Sequence, residues 1–406
     1  MSKLNNAMKN TILMLGVVAF FCTGRAFGQK KMAGRDPEIN GFTATPAPEW
    51  SNLFLRKSGW LGGDGIFAIP FSGRDAQKED SVLILFSDTI LGEIEEGKLN
   101  PGFSMVNNSV ALLKGKAPDP ASITFRIAGT GEERQAVFSP KADTSDKDTY
   151  FWLGDGFVNT DVGKDLFIFA YKITNTHDGS PFPFKETGNS LVKILAGSQF
   201  PYTAQQQFEL PFNTYKPGEE TISFGAGVYN SSKAAGELSP DGFVYIYGVK
   251  RPSKKLVAAR VKPSQLTSFK QWEFWGSEGW SGNRQAIAAL ADSVSNELSV
   301  SMLAPGKYAL VYQLSSIFPE ICMQVGPTPY GPFGPRIVLY KTSSDIQDPE
   351  LFTYNAKAHP ALSAPGELLI SYNVNSFKFL EVLPKQPNLY RPRFVRVKFS
   401  QSSKSK

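Results

Sequence analysis

Polar and apolar positions in this chain follow no helical period over any long stretch. Short apolar runs rich in Val, Ile, Phe and Tyr alternate with clusters of Gly, Pro, Asn and Asp. Runs of that length, bounded by turn-forming residues, predict strands. One unit recurs: a turn leads into an apolar run that often ends on an aromatic residue. Its copies are EDSVLILFSD (79–88), GKDLFIFAYK (163–172), SPDGFVYIYG (239–248), APGKYALVYQ (304–313) and APGELLISYN (364–373). Further strand-like segments, GIFAIPF, MVNNSVALL, GFVNTDV and ELSVSML, lie before most of them. Only RQAIAALADSV (284–294) leaves room for a helical turn or two. Strand pairs repeated without helices predict an all-β, five-bladed β-propeller, with a β-sandwich as the competing architecture. The last strand-like segment, near Phe394 to Phe399, is expected to join the first blade and close the ring.

The N-terminus changes the domain layout. Lys3 and Lys9 precede an apolar core from Thr11 to Phe21, and Ala26-Phe27-Gly28 offers a cleavage site. This pattern predicts a signal peptide over 1–28, because the apolar stretch is short for a membrane span. An uncleaved anchor is the alternative; lipidation at Cys22 is disfavoured by the bulky Phe21 before it. The expected layout is a signal peptide (1–28), a polar linker (29–48), one propeller domain (49–399) and a polar tail (400–406). The mature protein is expected to be a monomer without a membrane span, either secreted or periplasmic.

Charge and cysteine exclude several classes. The chain carries a formal charge of +6, and the leader holds three basic residues and no acids, which leaves +3. So mild an excess does not point to nucleic acid. The basic residues Arg391 to Lys398 interleave with Val395 and Val397, as on a half-buried strand. Cys322 is the one cysteine of the mature chain, inside an apolar run with no histidine nearby, and reads as structural. Two histidines far apart exclude a His-Glu-x-x-His metal site. No metal ligand set and no cofactor are expected, although a propeller channel leaves room for a structural cation.

Two segments place a carboxylate beside glycines just after Trp-Leu: Gly62-Gly63-Asp64-Gly65 and Gly154-Asp155-Gly156. Asp64 starts one strand and Asp88 ends the next. If these strands pair as a hairpin, both acids share one rim, because neighbouring strands lie about 4.8 Å apart. Two carboxylates at that spacing suit acid/base cleavage of a glycosidic bond. The competing reading makes each a turn residue. Asp155 matches Asp64 in its repeat. Asn107 and Asn108 interrupt an apolar strand, so one of them points inward, where it either binds sugar hydroxyls or caps a neighbouring loop. His359, with Lys357 two residues before it, lies at the entry to the fifth unit. Trp60, Trp152 and Trp280 flank glycine and offer flat faces for sugars. Asp64 and Asp88 are therefore the candidate catalytic residues. Asp155, Asn107, Asn108, Trp152, Lys357 and His359 are the candidate substrate-binding residues.

GGDGIF, LILFSDT, MVNNSVAL and KAHPAL…GELLISYN together resemble secreted bacterial five-bladed propellers long classed as domains of unknown function. Some relatives of that family are endo-acting D-arabinofuranosidases. GPTPYGPFGPRIVLY (326–340) also resembles outer strands of the wider arabinanase and xylosidase propeller group. The resemblance spans roughly residues 50–385. It implies catalytic carboxylates on the first blade, at Asp64 and Asp88, with Ser87 standing where a glycine is more usual. In the wider group a third-blade glutamate serves as acid; Glu186, in KETGNS, is a weak match. The expected function is a secreted glycoside hydrolase acting on furanose-containing, arabinan-like polysaccharide. The alternative is a non-catalytic carbohydrate-binding propeller.

Overall fold

In the computed structural model, residues 41–76, 81–141, 148–179, 183–212 and 220–400 are described. The signal-peptide expectation lies outside them, as does most of the polar tail. Almost every element is a strand; the two α-helices, Pro48–Leu53 and Phe379–Val382, are short. No helix among the described residues is long and apolar enough to cross a membrane.

The five recurring runs each become the second strand of an antiparallel sheet. The first sheet is Phe67–Pro70, Ser81–Phe86, Ser109–Lys114 and Ile123–Arg126. The second is Thr149–Val158, Leu166–Asn175, Phe184–Ile194 and Gln205–Glu209. The third runs Thr221–Ser231, Phe243–Arg251, Lys255–Val261, Glu273–Gly276 and Gly279–Ser281. The fourth is Leu298–Ala304, Lys307–Gln313, Glu320–Gly326 and Ile337–Lys341. The fifth joins Leu351–Ala358, Glu367–Ser376, Arg393–Phe399 and Phe42–Pro46. A small additional sheet contains Ser58–Gly63, Thr89–Glu95, Lys98–Leu99 and Ser104–Val106.

Continuous apolar runs arise because the second strands are buried on both faces. Side chains alternate across a strand. Leu83 and Leu85 accordingly pack with Phe151, Leu153 and Ile168 of the second sheet. Val82, Ile84 and Phe86 pack the other way, with Leu369 and Phe394 of the fifth. The same division recurs in the next sheet, where Ile168 and Ala170 face the first sheet while Phe167 and Phe169 face the third. Tyr245 and Tyr247 join the third sheet to Leu310 and Tyr312 of the fourth, and Val311 and Met323 join the fourth to Ile370 and Val395 of the fifth. The apolar cores thus link the sheets pairwise in a closed cycle.

Two features of this closure differ from the sequence reading. Arg393–Phe399 is the third strand of the fifth sheet and does not join the first. The outermost strand of that sheet is Phe42–Pro46, in the segment read as linker, and it pairs antiparallel with Phe399 to Val395. A five-residue strand with two prolines nearby carries too weak a pattern to stand out alone; the edge offered by Arg393–Phe399 supplies its hydrogen bonds. MVNNSVALL also lies elsewhere than expected. It supplies the third strand of the first sheet, after the recurring run, and part of the small sheet. The segment 284–294 holds only a 3₁₀ turn at Arg284–Ala286.

The first strands carry the feature that builds the site. Their register shifts at Leu153/Gly156, Phe224/Gly227 and Tyr354/Lys357. Such bulges bend a strand and re-aim its side chains. Gly225 takes φ +100° in one of them, and an added Cβ would lie 2.2 Å from the Cβ of the buried Phe169. Gly225→Ala is expected to lower unfolding stability by about 2 kcal/mol. Chemical denaturation measures it, and an unchanged midpoint would refute the packing argument.

Candidate active site

Asp64 and Asp88 stand opposite each other. Gly63 faces Thr89 on one side of them and Phe67 faces Leu85 on the other. Equal lengths of chain separate these pairs, so Asp64 pairs with Asp88 across a local opening of the ladder. The Asp64 amide donates to the Asp88 carbonyl at 3.2 Å, and the Ser87 amide donates to the Asp64 carbonyl at 2.8 Å. Directly opposed residues hold their Cβ atoms about 4.5–5.5 Å apart. Gly65 makes the close approach feasible: at φ +63°, an added Cβ would lie 2.7 Å from the Ser87 hydroxyl oxygen. The Ser87 hydroxyl accepts from the Leu153 amide at 2.9 Å, tying this turn to the second sheet.

The two carboxylates are half-buried and differently held. The Tyr354 hydroxyl donates to Asp64 Oδ2 at 2.8 Å. Tyr390 and the Lys357 ammonium also favour its charged form, against a burial that raises its pKa. Trp152 Nε1 donates to Asp88 Oδ1 at 2.8 Å, and Asn107 Nδ2 lies 3.5 Å from the same oxygen. Burial, and then the charge of Asp64, push Asp88 up to about 7. The physical cause is that two carboxylates at cross-strand distance do not readily ionise together. Asp64 is held by hydroxyl donors and a nearby cation, and its charge raises the pKa of Asp88.

Sequence reasoning missed Glu297, Tyr354 and Tyr390. Glu297 immediately precedes the first strand of the fourth sheet and forms a 2.5 Å ion pair with Lys357. Its other oxygen accepts from Asn355 Nδ2 at 2.9 Å. Asn355 takes φ +58° in its bulge, a conformation Asn tolerates better than most residues. Burial lifts Glu297 to about 7 despite Lys357. Aligning the entries to the first strands would have drawn attention to Glu297, which sits at a strand entry as Asp64 does. Nothing local marks Tyr354 or Tyr390, which reach Asp64 from the far end of the chain.

Several expected ligand contacts take other roles. Asn108 is wholly buried; its Nδ2 donates to the Phe138 and Phe151 carbonyls at 2.7 and 3.0 Å, and its Oδ1 accepts from the Phe138 amide at 2.8 Å. Asn189 repeats the device, donating to Ala170 and accepting from the Phe224 amide of the next sheet. Asn108 is therefore an inter-sheet clamp and not a sugar ligand, because its amide is already engaged by backbone. His359 is also internal: it is 3 % exposed, its Nε2 pairs with the Ser371 hydroxyl at 2.7 Å, and burial and Lys357 drive its pKa down to about 3. Lys357 is 1 % exposed and lies 4.4 Å from the centre of the Phe67 ring. It sets the charge state of its acidic neighbours rather than meeting solvent. Trp60 is 3 % exposed and stacks on Phe125 within the core. Trp152 and Asn107, by contrast, stand half-buried beside Asp88.

Asp155 borders a cavity of about 90 Å³ that receives residues from the first strands of all five large sheets, including Phe67, Val228, Val300 and Lys357. Its oxygens accept from the Val228 and Gly156 amides at 2.7 and 2.8 Å, and burial raises its pKa to about 7. Glu186 is held by Arg251 and by the Ser223 hydroxyl at 2.6 Å. Cys322 is buried, and burial pushes its thiol up to about 11. No group of three or more His, Cys, Asp or Glu side chains among the described residues is placed to hold a metal ion.

The raised pKa of Asp88 has a consequence for stability. Its ordinary value is 3.8, and its folded value is about 7. The folded state therefore holds the proton more tightly, and the stability this confers is full below 3.8 and lost as pH rises through 7. Asp88→Asn removes that loss while keeping an acceptor for Trp152. The variant is expected to match wild type in acid and to exceed it by about 2 kcal/mol above pH 7. Urea unfolding at the two extremes measures the difference, and equal gains at both would contradict the assignment.

The fold has counterparts among solved structures. A proposed hydrolase from Bacteroides ovatus ATCC 8483 aligns with a TM-score of 0.66 and 21 % identity, over 88 % of this chain and 90 % of that one. A proposed exo-β-1,3-galactanase from Bifidobacterium bifidum s17 aligns at 0.44 and 12 %, over 86 % and 97 %. An exo-β-1,3-galactanase from Phanerochaete chrysosporium aligns at 0.43 and 9 %, over 87 % and 64 %. No curated protein matches the sequence. Residues 48–399 match a family described as a domain of unknown function, and the chain belongs to that family, DUF5005.

Proposed function

We propose that the protein is a glycoside hydrolase that cleaves furanose-containing, arabinan-like polysaccharide. The observation that carries this reading is the opposed pair of Asp64 and Asp88, joined backbone to backbone across the ladder, with burial raising the pKa of both carboxylates. Asp88 acts as general acid and protonates the leaving oxygen. Asp64, steadied by Tyr354 and facing Tyr390, attacks the anomeric carbon as the protonated leaving group departs, and a water deprotonated by the Asp88 carboxylate then releases the sugar from Asp64. Trp152 fixes Asp88 and presents an indole beside it. Asn107 is close enough to contact a sugar hydroxyl.

The closed cycle of five large sheets is read here as a five-bladed propeller, with Phe42–Pro46 completing the last blade. Export by a cleaved signal peptide and action as a monomer complete the proposal. The test is release of reducing ends from a panel of arabinans and other plant and bacterial polysaccharides. Hydrolysis of an arabinan by wild type, absent in Asp88→Asn, supports the reading. Glycan binding without hydrolysis of any polymer leaves the carbohydrate-binding alternative.

A further inference from the structure

Two sets of aromatic rings lead away from the carboxylate pair. On one side, Trp152 donates to Asp88, and Phe184 lies 4.7 Å and Tyr150 6.2 Å from it, ring centre to ring centre. On the other side, Tyr354 donates to Asp64, Phe352 lies 5.7 Å from Tyr354, and Phe377 lies 4.6 Å from Phe352 at 32° between ring planes. Exposure rises along this second set: Tyr354 and Phe352 are half-buried, and Phe377 is 61 % exposed. The strand explains the alignment. Phe352 and Tyr354 are two residues apart in Leu351–Ala358, so they share a face, and Phe377 follows directly on the partner strand Glu367–Ser376.

We propose that Tyr354, Phe352 and Phe377 form a shelf that binds successive sugar rings of a chain lying across Asp64 and Asp88. The proposal rests on the glycan-cleaving reading of that pair. Sugar rings present faces rich in C–H groups, and aromatic faces bury them at little cost in side-chain entropy. Leaving an aromatic ring exposed forgoes the burial that usually stabilises it, so a run of rings that ends on an exposed Phe377 fits a surface covered by ligand. Affinity then grows with chain length beyond the sugars that touch the carboxylates, and Phe377 sets how far.

The test is equilibrium binding of short and long arabino-oligosaccharides to Asp88→Asn protein, with and without Phe377→Ala, alongside Phe377→Trp. Phe377→Ala is expected to weaken long-chain binding by roughly fivefold and to flatten its dependence on length, and Phe377→Trp to preserve it. Exposed Phe377 can be changed without disturbing the core, and a thermal unfolding midpoint equal to the parent confirms that. Undiminished length dependence in Phe377→Ala overturns the shelf while leaving the catalytic pair intact. Cleavage that survives Asp64→Asn, together with loss of length dependence in Phe377→Ala, overturns the catalytic reading and keeps the shelf. Absence of binding to every oligosaccharide overturns both.

Discussion

On the proposed roles, Asp64→Asn and Asp88→Asn are each expected to lower kcat on a cleaved polysaccharide by about a thousandfold, the scale of losing one positioned acid or base. The two variants are expected to differ in character. Asp88→Asn removes the proton donor, so its loss is smaller on substrates whose leaving group needs no protonation, such as aryl glycosides. Asp64→Asn removes the attacking oxygen and is equally deleterious on both. Wild-type kcat/KM is expected to fall on the alkaline side with an apparent pKa near 7, as Asp88 loses its proton. That limb reports the pair and not one residue, because the two titrations are coupled. An alkaline limb unchanged in Asp64→Asn would show that the charge of Asp64 does not hold the proton on Asp88. Full activity in both variants would move the chemistry elsewhere.

Removal of Lys357 is the second large effect. Its ammonium pairs with Glu297 in an interior where both are almost wholly shielded from water. Breaking a buried pair by deleting one partner typically costs about 3–5 kcal/mol, because the remaining charge loses its compensation. Lys357→Met is expected to reduce stability by that amount at alkaline pH, where Glu297 is charged. Protonation of Glu297 relieves part of the cost, and because Lys357 lowers the pKa of Glu297, its loss moves that relief above pH 7. Lys357→Met combined with Glu297→Gln should recover much of the loss, since the amide oxygen still accepts from Asn355. Lys357 also favours the charged form of Asp64 and Asp155. Its loss therefore raises the pKa at which Asp64 ionises, and moves the acid limb of activity upward. Denaturant unfolding across pH, and the pH–rate profile of the single variant, measure the two effects. A single variant within about 1 kcal/mol of wild type would make the pair a bystander.

These effects show how the site depends on the ring of sheets. The Asp64–Asp88 pair is local: both acids lie in a hairpin-like stretch of adjoining strands. The tuning is distant. Tyr354, Tyr390 and Lys357 come from the last part of the chain, and Glu297 from the fourth sheet. Closure of the cycle brings them to Asp64, and the first strands of the five large sheets line one cavity. Weakening closure is thus a route to lost activity even with both carboxylates present.

Local pattern alone determined the strand-rich class, the five doubly buried runs and the cross-strand opposition of Asp64 and Asp88. Those properties depend on side-chain alternation, turn residues and pairing of neighbouring strands, which act over short sequence distances. Tertiary structure decided which strand closes the ring, because Phe42–Pro46 gains its partners only from a segment some 350 residues away. It also decided that Asn108 clamps backbone, that Lys357 and His359 face inward, and that Glu297 and two tyrosines complete the acidic centre. Burial and partner identity fix the role of a polar side chain, and neither is encoded by its immediate neighbours.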